Sequence, residues 1–247
     1  MKKYMVLIAK ILKFEFSNVF RSKWIIFIFT FFFLLSYALF SFEHNSQKSI
    51  LSLFNVTIYL IPLIGLIFGK MYLYNSADYI EMILCQPIPR SSLYIGLYLG
   101  TALPLLSSFV FGILIPLILF GNFSEVISLI LLLILIGIAL TLISLAVAFY
   151  VSTKINDKVK GLSLSIFFWL VSAIVFDGLI LIIAYVFQDY PIEKFLIALT
   201  IMNPIDLSRT LFVLNFDVSA LMGYSGALFK KFYGSSLGSI VSVFSLI

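Results

Sequence analysis

One histidine and one cysteine are all that this chain of 247 residues offers to imidazole or thiol chemistry. A single thiol, Cys85, forms no intramolecular disulfide, and no C-x-x-C pair exists to hold a metal or run redox chemistry. His44 stands in a short polar stretch, so no imidazole lies within an apolar run to activate a serine there. An HExxH helix, a glycine-rich phosphate loop and a paired-carboxylate constellation are missing too. Met71, Met82, Met202 and Met222 are scattered without ligand spacing. The chain is therefore not expected to be an enzyme, and no cofactor or metal is expected. Charge is also scarce, at 11% of residues against 62% hydrophobic, with a mean hydropathy of +1.17. A soluble domain of this size has too little interior to hide so much apolar surface. Lipid is the expected solvent for most of it.

A membrane span needs about 20 apolar residues at about 1.5 Å each. Five runs qualify: Trp24–Phe42, Ile50–Gly69, Leu93–Phe120, Val126–Val151 and Leu162–Phe187. Pro62, Pro104 and Pro116 lie inside these runs, where they are expected to kink helices. A sixth run starts near Ser236 and meets the chain end at Ile247. That helix would reach about 18 Å, against a hydrocarbon core of about 30 Å. The expected fold is an all-α, polytopic membrane helical bundle of six spans, the sixth incomplete in this sequence.

The net charge of +5 is not spread as a nucleic-acid footprint. Lys2, Lys3, Lys10, Lys13, Arg21 and Lys23 precede the first span. Lys70 and Arg90 fall in the second connection, and Lys154, Lys158 and Lys160 in the fourth. The alternate short connections hold only Lys48, with none at 121–125. This is the positive-inside pattern. It predicts a cytoplasmic N-terminus, an uncleaved first span, a multi-pass protein of the cytoplasmic (inner) membrane, and no nucleic-acid partner. The chain then divides into a cytoplasmic amphipathic interfacial helix (1–23), five spans with a cytoplasmic segment at 70–92 (24–187), an extracytoplasmic loop with short helices (188–235) and the start of the sixth span (236–247).

In the N-terminal helix, Lys3, Lys10, Lys13, Ser17 and Arg21 share one face, and Met5, Ile8, Leu12, Phe16 and Val19 the other. Such a helix lies in the membrane interface. Glu15 is the exception beside the apolar stripe: either a snorkelling interfacial acid or an ion-pair partner for another part of the protein. Gly65-x-x-x-Gly69 and Gly96-x-x-x-Gly100 permit close helix approach, within the chain or across a dimer seam. Asp177 lies inside the fifth span, where a carboxylate costs about 2.5–3.5 kcal/mol on insertion scales. It marks either a functional position or a hydrogen-bonded interhelical contact. In Asn203-Pro-Ile-Asp-Leu-Ser-Arg209, Asn203 reads as an N-cap, Pro204 as the first helical residue and Asp206 as a first-turn acid. A helix is expected from Pro204 toward Leu214, with an Asp206–Arg209 pair one turn apart.

Between the second and third runs, Glu81-Met-Ile-Leu-Cys-Gln-Pro-Ile-Pro-Arg90 is polar and rich in proline. Asp78–Cys85 reads as a short helix capped by Asn75 or Ser76. Tyr79, Met82 and Ile83 are expected against the membrane, with Glu81 and Gln86 accessible. Pro87 ends the helix, Pro87 and Pro89 stiffen the link, Arg90 anchors it, and Ser91 or Ser92 caps the next span. A stiff segment of this kind can pass force from a cytoplasmic partner to two spans.

This segment resembles the coupling segment of type-2 ABC permeases, T-L-E-x-L-L-x-x-P-x-S-R, with Glu81, Pro87 and Arg90 matching by residue. Lys13-Phe14-Glu15 and Arg21-Ser22-Lys23 resemble the interfacial helix of that family. Phe176-Asp177 and the stretch Met202–Arg209 are similar to the NosY-type permease of the nitrous-oxide-reductase maturation system, with its L-N-P-x-D-x-x-R motif. The family's acids and glycine before the coupling helix are replaced here by Tyr74-Asn75-Ser76-Ala77-Asp78. The resemblance implies a lipid-embedded homodimer, a cytoplasmic NosF-like ABC ATPase subunit docked near Glu15, Glu81, Pro87 and Arg90, and a periplasmic NosD-like partner met by Asn203, Pro204, Asp206 and Arg209. It implies a role in copper-site maturation of nitrous oxide reductase. The competing expectations are a generic exporter permease for a lipid-like or peptide substrate, and a passive membrane anchor.

Overall fold

The computed structural model describes residues 2–42, 46–120, 127–155, 157–187 and 193–215. His44 and the sixth run from Ser236 lie outside them. Every element among the described residues is helical. They are α1 (Lys2–Phe20), α2 (Lys23–Phe42), α3 (Ser46–Asn75), α4 (Ala77–Leu84), α5 (Arg90–Phe120), α6 (Ile127–Lys154), α7 (Lys158–Leu170), a π-helical turn (Val171–Val175), α8 (Phe176–Val186), α9 (Glu193–Met202) and α10 (Pro204–Asn215). Among the described residues five helices are long and apolar enough to cross a membrane: α2, α3, α5, α6, and the unit formed by α7, the π turn and α8; α9 and α10 pass the same test only when taken together as one bent span. The five coincide with the five runs read from the sequence. The described residues are thus all-helical, and by length and composition they are those of a multi-pass membrane protein.

The core is built from paired helices. α3 packs on α6, α5 receives α2 along one side and α1 along another, and α7 leans on α3. Glycines set these approaches. A Cβ at Gly65 would overlap Ser144 Oγ, and one at Gly69 would stand 2.8 Å from Ala148 Cβ. Gly96 and Gly100 meet Ile11 and Glu15 of α1 in the same way. Both G-x-x-x-G patterns are therefore filled from within the chain. α3 and α5 continue as helices through Pro62, Pro104 and Pro116. Next to Pro104, the hydroxyls of Ser107 and Ser108 donate to its carbonyl at 2.8 and 2.9 Å.

The buried stripe of α1 runs through Ile11, Glu15 and Val19, with Ile8 and Leu12 half-buried beside it. Met5 and Phe14 are exposed. The stripe is rotated from the predicted one because α5 offers its glycine face to α1, and Glu15 stands in the middle of it. α7 and α8 sit at the rim, and most of their large apolar side chains are exposed in the single chain.

Candidate functional site

Two polar constellations stand out against this apolar frame. The first surrounds the segment between α3 and α5. α4 starts after Ser76, which makes no side-chain capping bond, and Asp78 sits in its first turn. Ile80 and Ile83 are buried against the bundle, and Met82 is exposed. Hydropathy alone puts Tyr79, Met82 and Ile83 together on the membrane side. The helix instead turns its isoleucines inward, because the bundle offers a closer apolar surface than lipid does. Glu81, Gln86, Pro87 and Arg90 are all exposed. α5 begins at Arg90, and the Pro89 carbonyl accepts from Ser92 N at 3.1 Å and Leu93 N at 3.3 Å. A proline carbonyl, and no serine hydroxyl, starts that helix.

This segment is braced from beneath. Tyr79 stacks on Phe14 of α1 with centroids 5.8 Å apart. Tyr72 donates to the carboxylate of Glu15, which is 1% exposed. Burial and the neighbouring Glu15 push the Tyr79 phenol up from its ordinary range. The acid on the apolar stripe of α1 is thus an acceptor for a long-range partner, 57 residues away.

The same end of α3 grips the start of α7. Lys70, fully buried, donates to Tyr74 Oη at 2.8 Å, and Tyr74 donates to the Ile155 carbonyl at 2.5 Å. Asp157 caps α7, accepting from Val159 N at 2.8 Å and Lys160 N at 3.2 Å. A Cβ on Gly161 would overlap Tyr74 Oη, so only glycine lets α7 come this close. The short segment is therefore mechanically continuous with α1, α3, α5 and, through Tyr74, α7.

The second constellation lies 16 residues back along α3 from Asn75 at Tyr59, about 24 Å by helical rise. α9 and α10 meet at a bend of 113° with Asn203 between them. Asn203 Oδ1 accepts from Ile205 N at 3.2 Å, which is the N-cap read from the sequence. α10 is buried rather than laid on the surface: Ile205, Asp206, Leu207, Ser208, Leu211 and Phe212 all face the bundle. Phe212 stacks on Phe54 of α3 at 3.8 Å and 5°. Asn203 Nδ2 donates to the Ser172 carbonyl at 2.6 Å and to Asp206 Oδ2 at 2.7 Å. Ser172 belongs to the π-helical turn that leads into Asp177. Extra-residue turns of this kind are frequent at functional sites.

Arg209 closes the cluster. Its Nη1 donates to Asp177 and its Nη2 to the hydroxyl of Tyr59. The guanidinium also lies 5.4 Å from the Tyr59 ring centroid. Trp169 Nε1 donates to the Tyr59 carbonyl at 2.9 Å. The intramembrane acid thus has its cation on α10, 32 residues along the chain. Helical spacing would pair Arg209 with Asp206. Asp206 receives Asn203 instead, and Arg209 reaches across to the fifth span. Asn203 and Asp206 are each 4% exposed, so their first partners are inside the chain. Tyr59, Trp169 and Ser172 join the site without any warning in the sequence, because a tyrosine, a tryptophan and a serine in apolar runs carry no local mark.

Among the described residues no group of three or more His, Cys, Asp or Glu is arranged to hold a metal ion. No family model matches this chain, and no curated protein matches it.

Proposed function

We propose that this chain is the membrane subunit of an ATP-driven complex of the type-2 ABC permease kind, with the ATPase activity in a separate cytoplasmic subunit. The observation that carries the reading is the α4 segment: Glu81, Gln86, Pro87 and Arg90 are exposed, while Ile80, Ile83 and Tyr79 are braced on the bundle. An exposed charged edge on a stiff base is what a docking partner needs to push helices. Force applied there passes through Tyr72–Glu15 to α1 and along α3 to Tyr59, Asp177 and Arg209. In the finer reading the complex is of the NosY type. An extracytoplasmic partner then senses the seating of α10 and the complex serves copper-site maturation of nitrous oxide reductase. The poverty of histidine, cysteine and methionine arrays speaks for mechanical coupling and against copper passing along a ligand relay.

A second reading, export of a lipid-like substrate, is favoured by one feature. A cavity of about 380 Å³ lies between α2 and α3, lined by Trp24, Phe27, Phe31, Ile64 and Phe68, with Asn18, Ser22 and Asn75 also in its wall. Its chemistry suits an amphiphile.

The test is purification of the tagged chain from its native membranes in mild detergent, with co-purifying ATPase subunits identified by mass spectrometry and by ATP hydrolysis. The expected result is one species that hydrolyses ATP, lost in the double variant Glu81→Ala/Arg90→Ala, with the melting temperature of the membrane subunit unchanged because both side chains are exposed. ATPase stimulation by added phospholipid would favour the exporter reading. A folded membrane subunit that never recovers an ATPase would overturn both.

A further inference from the structure

The cluster around Arg209 contains one guanidinium and two carboxylates. Arg209 is always protonated, and Asp177 takes its Nη1. Asp206 is 4% exposed and lies beside Asp177. Its Oδ2 accepts from Asn203, but its Oδ1 is buried without a partner. The other buried unpartnered side-chain atoms among the described residues are hydroxyls, Ser36 Oγ and Thr57 Oγ1. With both acids ionised the cluster would hold one cation against two anions in an apolar surrounding, and the buried Asp206 Oδ1 would carry charge with no donor to meet it. A carboxylate oxygen can bond another only through a proton.

We propose that Asp177 and Asp206 form a proton-binding site, in which Asp206 Oδ1 carries the proton and donates it to Asp177. The proton gives the orphaned oxygen a partner and makes the cluster neutral. It also ties α10 to α8 directly, beside the tie through Arg209. Among the described residues, Tyr59 of α3 is the remaining titratable group that faces the cluster. The π turn and residues 195–202 of α9 contain no titratable side chain, and Tyr150 and Lys154 of α6 lie near its opposite end. Release of the proton sets like charges against each other between α8 and α10, so proton binding is coupled to how α10 sits. Such a site goes beyond the ATPase reading and stands without it.

The test is infrared spectroscopy of the full chain in nanodiscs at neutral pH, with aspartate carbon-13 labelled. The expected result is a carbonyl stretch of a protonated carboxyl that shifts with the label, which separates it from Glu15. Asp206→Asn removes this band. Asp177→Asn removes it as well, because Asp206 is then the only anion left for Arg209 and ionises. Hydrogen exchange supplies the second readout: corrected for intrinsic rates, protection of α10 falls at alkaline pH in the wild type and stays constant in Asp206→Asn. A wild-type spectrum without a label-sensitive protonated band overturns the proposal, and that outcome does not depend on any variant folding. A band that survives both substitutions, or α10 protection with the same pH response in both proteins, overturns it equally.

Discussion

Arg209→Ala lowers the unfolding free energy of the chain by about 3 kcal/mol, the low end of the range for removing one member of a buried ion pair. The lower figure applies because the side chains of Arg209 and Asp177 retain 29% and 28% of their exposure. Losing the guanidinium leaves Asp177 without its cation and Tyr59 Oη without its donor. Protonation of Asp177 limits the damage, so the loss does not climb to the upper end. Arg209→Lys does not restore the wild type. Two different nitrogens of a planar fork reach α8 and α3 at once, and a single ammonium cannot reproduce that geometry. Asp177→Asn combined with Arg209→Gln costs less than the sum of the single changes, because both singles break the same Arg209–Asp177 contact and the double change loses it only once. Thermal or denaturant unfolding in a fixed detergent reads all four proteins. An Arg209→Ala protein as stable as wild type would mean that α10 is held by Phe212 on Phe54 and the apolar face alone.

The contrast between what is and is not legible in the sequence runs along sequence separation. The five apolar runs are local, and five helices occupy them. The cap at Asn203 and the start at Pro204 are local as well, and α10 begins there. Arg209 shows where local reasoning fails. Spacing offers it Asp206 one turn away, but helix rotation gives it Asp177 and Tyr59, 32 and 150 residues distant. Glu15 is visible as an acid on an apolar stripe, yet its partner Tyr72 has no mark of its own. The inward face of α4 is not legible, because hydropathy cannot tell a protein neighbour from a lipid one. Lys70 reads as a loop residue, but α3 runs on past it, and the lysine is buried because Tyr74 waits one turn further on. The π turn before Asp177 has no sequence signal.

Gly100→Leu is expected to unseat α1 while the equivalent change at Gly178 leaves the fold of the single chain intact. A Cβ at Gly100 would stand 2.6 Å from Glu15 Cβ, with the Leu12 carbonyl 3.5 Å away. Both neighbours belong to the backbone-near part of a helix, so no flexible tip can swing aside. Overpacking of this kind costs about 1–3 kcal/mol, and parting α1 from α5 also strands Tyr72, whose hydroxyl loses its acceptor on Glu15 at about 1–3 kcal/mol. The summed effect exceeds that of any single surface change in this chain. It is read as a lowered melting temperature with hydrogen exchange raised throughout α1. Because Phe14 goes with α1, Tyr79 loses its stacking partner and the α4 segment its base, so under the proposed function recovery of an ATPase subunit would fall in the same preparation. At Gly178, in α8, a Cβ meets nothing within 4 Å, and leucine improves helix propensity by up to about 1 kcal/mol. The isolated chain therefore tolerates Gly178→Leu fully. If that variant folds as a monomer but loses a dimer band in crosslinking, the open face of α8 is where a second copy packs. If Gly100→Leu melts like wild type, α1 is held by the membrane interface and not by α5, and the path from the α4 segment through Glu15 is not used.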